Sequence, residues 1–270
     1  MISFSSGFNG FKIFVAISTG LSLYLINCSL TSDIGHLTFI IMYQSPLTGN
    51  VFFESAIICD GVTMYLGQRP ILQDIHFAIA RGTLASLEGA NGAGKTTLLK
   101  VLSTLFIPES GDVLINGFSV IQAPERVRPQ IGFVPSDERS FYWRLTGRQN
   151  LRFFAALQGC YGRQANERIN ELLASVGLDL QADQPFNLYS TGMKQLLGII
   201  RTLLHKPSVL LMDEPTRSLS PQYTKRIHDL FRELTCCQGH TILMVSHNPA
   251  ELHGLSNLRL ILENGQIAIR

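Results

Sequence analysis

The chain offers little for disulfide or metal chemistry. Its 270 residues include five cysteines, Cys28, Cys59, Cys160, Cys236 and Cys237. The count is odd and no two make a C-x-x-C pair, so neither a disulfide framework nor a structural zinc site is supported. Reduced thiols are the expectation, and the adjacent Cys236-Cys237 pair reads as incidental. Charge is also scarce. Only 16% of residues are charged and the formal net charge is +2, which argues against nucleic acid or an anionic membrane surface as a partner. There is one tryptophan, Trp143, and there are no repeats or low-complexity tracts. What remains is an apolar-rich chain with a mean hydropathy of +0.18. Its length suits one large domain, or one domain with an appendage, whose core needs no covalent staples.

Much of the apolar excess lies in residues 1–54, read as an extension separate from a globular part over 55–270. The stretch from Ile13 to Ser32 carries no charge and has the length of a membrane span. Ser18, Thr19, Gly20, Ser22, Asn27, Ser29 and Thr31 dilute it, however. A signal-peptide reading fits Lys12, the apolar run and the small polar residues after it. Lys12 before the run and Asp33 after it, with no further basic residue until Arg69, would send the globular part across the membrane. Three readings stand: translation from a start placed too far upstream, with Met42 as the true one; a membrane-associated segment; or a span of unusual topology. The first is favoured, and none gives the segment chemistry.

The globular part is organised around Gly89-Ala90-Asn91-Gly92-Ala93-Gly94-Lys95-Thr96-Thr97. This is G-x-x-x-x-G-K-T, the phosphate-binding P-loop. Thr83 to Glu88 before it reads as a strand, and Leu98, Leu99, Val101, Leu102 and Leu105 after it recur at helical spacing, the context the motif requires. The glycines let successive N–H groups turn inward on phosphate oxygens, and the helix adds the positive end of its dipole. Lys95 is expected on the β- and γ-phosphates and the Thr96 hydroxyl on Mg²⁺.

Along the rest of the chain, strands are expected at Ile57–Tyr65, Ile71–Ile79, Asp112–Gly117 and Ile131–Pro135. A composition shift at Ser136 opens a helical stretch over about 136–195. Thr146 and Gln149 form a capping box ahead of the stripe Leu151, Phe154, Ala155 and Leu157. Ile169, Leu172, Leu173 and Val176 form a second stripe, stopped by Gly177. Helices are also expected over Met193–Leu204 and Tyr223–Leu234. Ser208–Glu214 and Thr241–His247 read as buried parallel strands with polar ends. Asn264-Gly265 closes a terminal hairpin, after which no regulatory or cargo-sensing domain is expected. The fold class is α/β: a P-loop nucleoside-triphosphatase core with an antiparallel β subdomain and an inserted helical subdomain.

Asp213-Glu214, at the end of an apolar strand, has two readings. One is a strand-end acidic pair facing solvent. The other, favoured by the P-loop, places Asp213 on the Mg²⁺ that Thr96 touches and Glu214 near the γ-phosphate, positioned to deprotonate the attacking water. His247, at the next strand end, is a candidate sensor of the γ-phosphate or a structural histidine.

Taken together these motifs resemble the nucleotide-binding domain of ATP-binding cassette (ABC) transporters. The most specific mark is Tyr189-Ser190-Thr191-Gly192-Met193-Lys194-Gln195, which is similar to the family's signature in the form found in exporters of the ABC-2 type. The order P-loop, signature, Asp213-Glu214, then Ser246-His247 also matches, and the resemblance covers about residues 55 to 270. It implies an ATPase using ATP and Mg²⁺, with Tyr65 stacked on adenine. It also implies a head-to-tail dimer with a second ATPase subunit, in which Ser190 and Gly192 of one copy complete the ATP site of the other. A separate integral membrane permease would be the other partner, at the cytoplasmic face of the membrane. Alternatives from other classes are a soluble ABC ATPase acting on ribosomes or DNA, and an ATP-gated dimerising module with little turnover.

Two positions depart from the family pattern. Ser136 stands where a glutamine is usual after Ile131–Pro135, and Ser220 where an aspartate is usual after Ser218-Leu219. Both lie in coupling elements, so hydrolysis is expected to be retained but tuned. Ser140–Leu145, holding Trp143, reads either as a docking surface for the permease or as subdomain core.

Overall fold

The computed structural model describes residues 55–136, 140–246 and 254–269, together with the strand backbone of 12–19, 22–29 and 38–41. Three early strands, β1 (Lys12–Thr19), β2 (Ser22–Ser29) and β3 (Thr38–Ile41), pair antiparallel in a small sheet of their own. Much of the apolar stretch from Ile13 to Ser32 thus follows hairpin backbone, and its remaining residues lie outside the described set. Among the described residues no helix is long and apolar enough to cross a membrane.

The globular part begins with two long strands, β4 (Ser55–Leu66) and β5 (Arg69–Ala80), joined at Gly67-Gln68. With β7 (Ser110–Ile115) and β8 (Phe118–Ser119) they form a four-stranded antiparallel sheet in the order β5-β4-β7-β8. Strand β4 is irregular: its register against β5 shifts between Cys59 and Val62, again before Met64, and again between Met64 and Tyr65.

The second sheet has six strands in the order β13-β12-β6-β11-β10-β9. Its members are β6 (Leu84–Glu88), β9 (Ile131–Val134), β10 (Val209–Asp213), β11 (Thr241–Val245), β12 (Leu258–Glu263) and β13 (Gln266–Ile269). Only β13 runs antiparallel to its neighbour. Strands β10 and β11 are buried along their whole length, which is why they read as continuous apolar runs without alternation.

Helix α1 (Lys95–Leu102) lies between the two sheets. Leu98, Leu99, Val101 and Leu102 are fully buried among Ile57, Leu72, Ile75 and Leu211, each worth about 1.5–3 kcal/mol relative to exposure. The helix that follows the glycine loop is therefore held as a rigid post. A short helix α2 (Pro124–Val127), absent from the sequence expectations, fills the link to β9. Four residues are too few to leave a periodic signal.

Helices α3 (Gly147–Leu157), α4 (Gly162–Val176) and α5 (Thr191–Thr202) pack on one another and form the helical part. The capping box at α3 is present: the Thr146 hydroxyl accepts from the Gln149 N–H, and the Gln149 side chain accepts from the Thr146 N–H. Gly177 ends α4 in the left-handed conformation at φ 74°. Tyr189, ahead of α5, packs against the start of α3 so closely that a side chain at Gly147 would run into its phenol. Its hydroxyl donates to the Gln181 carbonyl at 2.8 Å, and burial pushes its pKa up to about 12. Helix α6 (Pro221–Cys236) then covers the six-stranded sheet from the side of the helical part.

At the end of the six-stranded sheet away from the glycine loop, two histidines brace the strand entries. His205 donates from Nε2 to the Ile131 carbonyl at 3.0 Å, and its Nδ1 is buried without a partner among the described residues. His240 donates from Nδ1 to the Pro207 carbonyl. Burial pulls both below the ordinary histidine value, and Arg168 adds to the effect at His240. An unfolded chain takes up these protons near pH 6.5 whereas the folded one resists them, so stability is full above that value and declines as pH falls through it. Urea midpoints should drop between pH 7.5 and pH 5.5, and the drop should shrink in the double variant His205→Gln, His240→Gln.

Candidate functional site

The site is built where β6 stops. Glu88, its last residue, is tied to Arg259 of β12 by two hydrogen bonds of 2.7 and 2.8 Å. The chain then turns through Gly89 at φ 148°, a backbone angle open in practice to glycine alone. A side chain here would also collide with the Leu262 carbonyl of β12. At the far end, Gly94 caps α1 at φ 108°, and a Cβ there would lie 2.9 Å from the Ile71 methyl group. The loop is thus wedged between β12 and β5, and the glycines are there because backbone must pass where no side chain fits.

Lys95, the first residue of α1, folds back over the loop. Its Nζ donates to the carbonyls of Gly89 at 2.7 Å and Ala90 at 2.9 Å. Burial lowers its pKa, while the carboxylates of Asp213 and Glu214 act in the opposite direction. A partly desolvated ammonium among loop backbone groups is the charge a bound polyphosphate needs.

The Thr96 hydroxyl donates to Asp213 Oδ2 at 2.8 Å. Asp213, the last residue of β10, is 2% exposed, a burial that carboxylates tolerate only when paired or ligating. Glu214 follows in the left-handed region at φ 53°, strained for a side-chain-bearing residue, and its N–H donates to the Val245 carbonyl of β11 at 2.9 Å. Its carboxylate lies 3.5 Å from Arg217. The strain turns Glu214 away from the strand direction and into the cleft beside Lys95.

Lys95, Thr96, Thr97, Asp213 and Glu214 line one cleft of about 260 Å³, together with Asn91 and Gly92 of the loop. The reading of Asp213-Glu214 as a solvent-facing acidic pair does not fit this placement. The cleft's other wall is Leu66, Ile71 and Val245. Tyr65 is not among the described residues that line it, although Leu66 next to it is. A larger, more open groove of about 560 Å³ runs along α6 past Thr224, Lys225 and His228, and none of the expected site residues lines it.

The donor set fits Mg²⁺. A hydroxyl and a carboxylate within hydrogen-bonding distance suit a hard cation that takes the rest of its shell from phosphate oxygens and water. Among the described residues no cluster of three or more His, Cys, Asp or Glu could hold a metal by itself.

Ser190 and Gly192 are elsewhere. Ser190, exposed at the surface, caps α5, its hydroxyl accepting the Met193 N–H at 3.2 Å. Gly192 lies against the turn after Glu214, where a Cβ would sit 3.0 Å from the Ser218 carbonyl. Neither lines the cleft of its own chain. Ser220 is the N-cap of α6 without a side-chain capping bond, and Ser136 is exposed after β9. His247, with Asp137 and Glu138, lies outside the described residues.

Residues 141–146 divide. Phe141 is buried against Phe154 and Phe186, whereas Tyr142 and Trp143 are 49% and 62% exposed. The segment is held by Asn150, a residue that sequence reasoning missed. Fully buried on α3, it accepts the Tyr142 N–H at 2.8 Å and donates to the Tyr142 and Thr146 carbonyls at 3.0 Å each. An asparagine inside an amphipathic stripe was the available signal, since a buried amide needs partners.

A glycine loop between strand and helix, a lysine over it and a buried carboxylate facing the threonine define a P-loop ATPase. The sequence profile of the family described as ABC transporter matches residues 72–217. The ABC transporter ATP-binding protein YdbJ of Bacillus subtilis is 33% identical over 214 residues, spanning 79% of this chain and 68% of that one. The daunorubicin resistance ATP-binding protein DrrA3 of Streptomyces coeruleorubidus is also 33% identical over 214 residues, spanning 79% and 67%. Among solved structures, an ATP-binding subunit of an ABC transporter superposes with a TM-score of 0.74 at 28% identity, covering 80% of this chain and 90% of that one. The chain belongs to the ABC transporter family, as an ATP-binding subunit with ATPase activity.

Proposed function

We propose that this chain hydrolyses ATP to power a separate membrane permease of export type, working as a head-to-tail pair at the cytoplasmic face of the membrane. The observation that carries the reading is a division of the expected site. Lys95, Thr96, Asp213 and Glu214 converge in one cleft, while Ser190, the cap of α5, and Gly192 are not among the residues that line it. A second copy, turned end for end, supplies what is missing.

In this site the loop amides and Lys95 hold the triphosphate. Thr96 and Asp213 would hold Mg²⁺, which would supply positive charge against the triphosphate. Glu214 orients water in line with the γ-phosphate and takes its proton, so that inorganic phosphate and ADP leave. His247 is assigned to the γ-phosphate oxygens. From the partner, the Ser190 hydroxyl and the Gly192 N–H, at the positive end of α5, donate to the γ-phosphate. Loss of that phosphate removes part of what joins the copies, and the pair opens. Export is favoured by the form of the signature and by a relative named for daunorubicin resistance.

The permease contact is assigned to Tyr142 and Trp143, two exposed aromatic rings on a segment fixed by Asn150. In detergent-solubilised native membranes the tagged chain should be recovered with a polytopic membrane protein and require Mg²⁺ for ATPase activity. Trp143→Ala should lower that recovery at least fivefold while leaving ATPase of the purified chain within twofold. Full recovery by this variant would remove the segment from the interface. A chain isolated from membranes with no membrane protein would count against the transporter reading itself.

A further inference from the structure

One wall of the nucleotide cleft departs from what the resemblance implied. Leu66 and Ile71 flank the phosphate loop, and no aromatic ring lines the cleft among the described residues. Adjacent strand residues point to opposite faces, so Leu66 and Tyr65 cannot both look into the same cleft. The lining of the cleft decides between them: it includes Leu66 and not Tyr65. Leu66 sits opposite Arg69 at the last rung of the β4–β5 ribbon, next to Ile71, whose side chain and carbonyl crowd Gly94 of the loop. The N–H of Tyr65 is held by the Glu109 carboxylate at 3.1 Å, which anchors the end of β4.

Resting on the reading of the cleft as the ATP site, we infer that Leu66 is the base-contacting residue and that this chain takes nucleoside triphosphates with little discrimination among bases. Recognition comes from the triphosphate: the loop amides, Lys95, and the Mg²⁺ held by Thr96 and Asp213. The base meets the aliphatic faces of Leu66 and Ile71. Such a surface excludes water from one side of any base but offers no ring to stack on. Ring stacking favours the larger purines, and aliphatic contact reduces that difference. Nor does the cleft present a polar side chain beyond those of the phosphate end to read the base edge. The residue is half exposed, at 51%, so its side chain can be exchanged without disturbing the core.

The test is calorimetric titration of the full chain with the β,γ-imido analogues of ATP and CTP in Mg²⁺, which reports binding without turnover. The wild-type chain should bind the two within about fivefold of each other. Leu66→Trp, and independently Leu66→Tyr, should tighten the ATP analogue by about tenfold and the CTP analogue by less, as an added stacking ring would. A wild-type preference for the ATP analogue above fivefold would overturn the inference, above all if Tyr65→Ala abolished it. So would ring-bearing variants at position 66 that leave the ratio unchanged. Failure of both analogues to bind would overturn the ATP site together with the inference, a result distinct from tight binding with strong base preference.

Discussion

Glu214→Gln lowers the steady-state ATPase rate by about 10²–10⁴-fold, the usual contribution of a positioned general base, while nucleotide binding survives. Glutamine keeps the shape of the side chain and its ability to orient water, but it cannot accept the proton. The backbone at Glu214 is held independently of the carboxylate, by its N–H donating to Val245, so the substitution leaves the strained turn in place. Arg217, itself largely exposed, loses an ion pair that at 3.5 Å is long and of small worth to stability. Two measurements check the result together: phosphate release, which should collapse, and equilibrium binding of ATP, which should stay within a few-fold of wild type. With hydrolysis stopped and ATP bound, the paired form should also accumulate on gel filtration. Unchanged phosphate release would falsify the assignment of Glu214 as the base.

Two inactive variants should restore activity when mixed. Lys95→Ala removes the ammonium that folds over Gly89 and Ala90, so that copy has no phosphate loop to offer. Ser190→Asp keeps a good N-cap for α5 but sets a negative charge against the γ-phosphate of the partner's site. Homodimers of either variant have no intact composite site, and their ATPase should fall at least 50-fold, roughly the loss of one or more charge-assisted phosphate contacts. In the mixed dimer, the loop of the Ser190→Asp copy meets the signature of the Lys95→Ala copy, and one site is whole. Random pairing at equal concentration makes about half the dimers mixed, each with one of two sites working, so about a quarter of wild-type activity is expected. Activity no greater than the two variants measured apart would show that each chain completes its own site.

The parts of the fold legible in the sequence were those written in local chemistry. The Thr146–Gln149 capping box, the stop at Gly177 and the Asn264-Gly265 turn depend on neighbours within a few residues, and each is where the spacing put it. The convergence of Lys95, Thr96, Asp213 and Glu214 was legible because parallel strands deliver their ends to one edge of the sheet. What escaped depended on irregularity or on long-range closure. Strand β4 slips its register more than once before Tyr65, and each slip can exchange which face a side chain takes. No spacing along the chain shows that Leu66 lines the cleft and Tyr65 does not. Asn150 escaped for another reason: its partners lie on a loop whose path exists only once α3 is packed.

The wedging of Gly89 against Leu262 has a consequence for synthesis. Strand β6 is central, and both its neighbours, β11 and β12, come from the last part of the chain. The loop leaves the ribosome early but cannot take its shape until those strands follow, a wait of roughly 8–35 s at about 5–20 residues per second. Meanwhile the exposed edges of β6 and the apolar face of α1 belong to a nascent chain open to misassociation. Ribosome-nascent chains that end before β12 should bind no ATP, and should acquire binding abruptly once that strand has emerged.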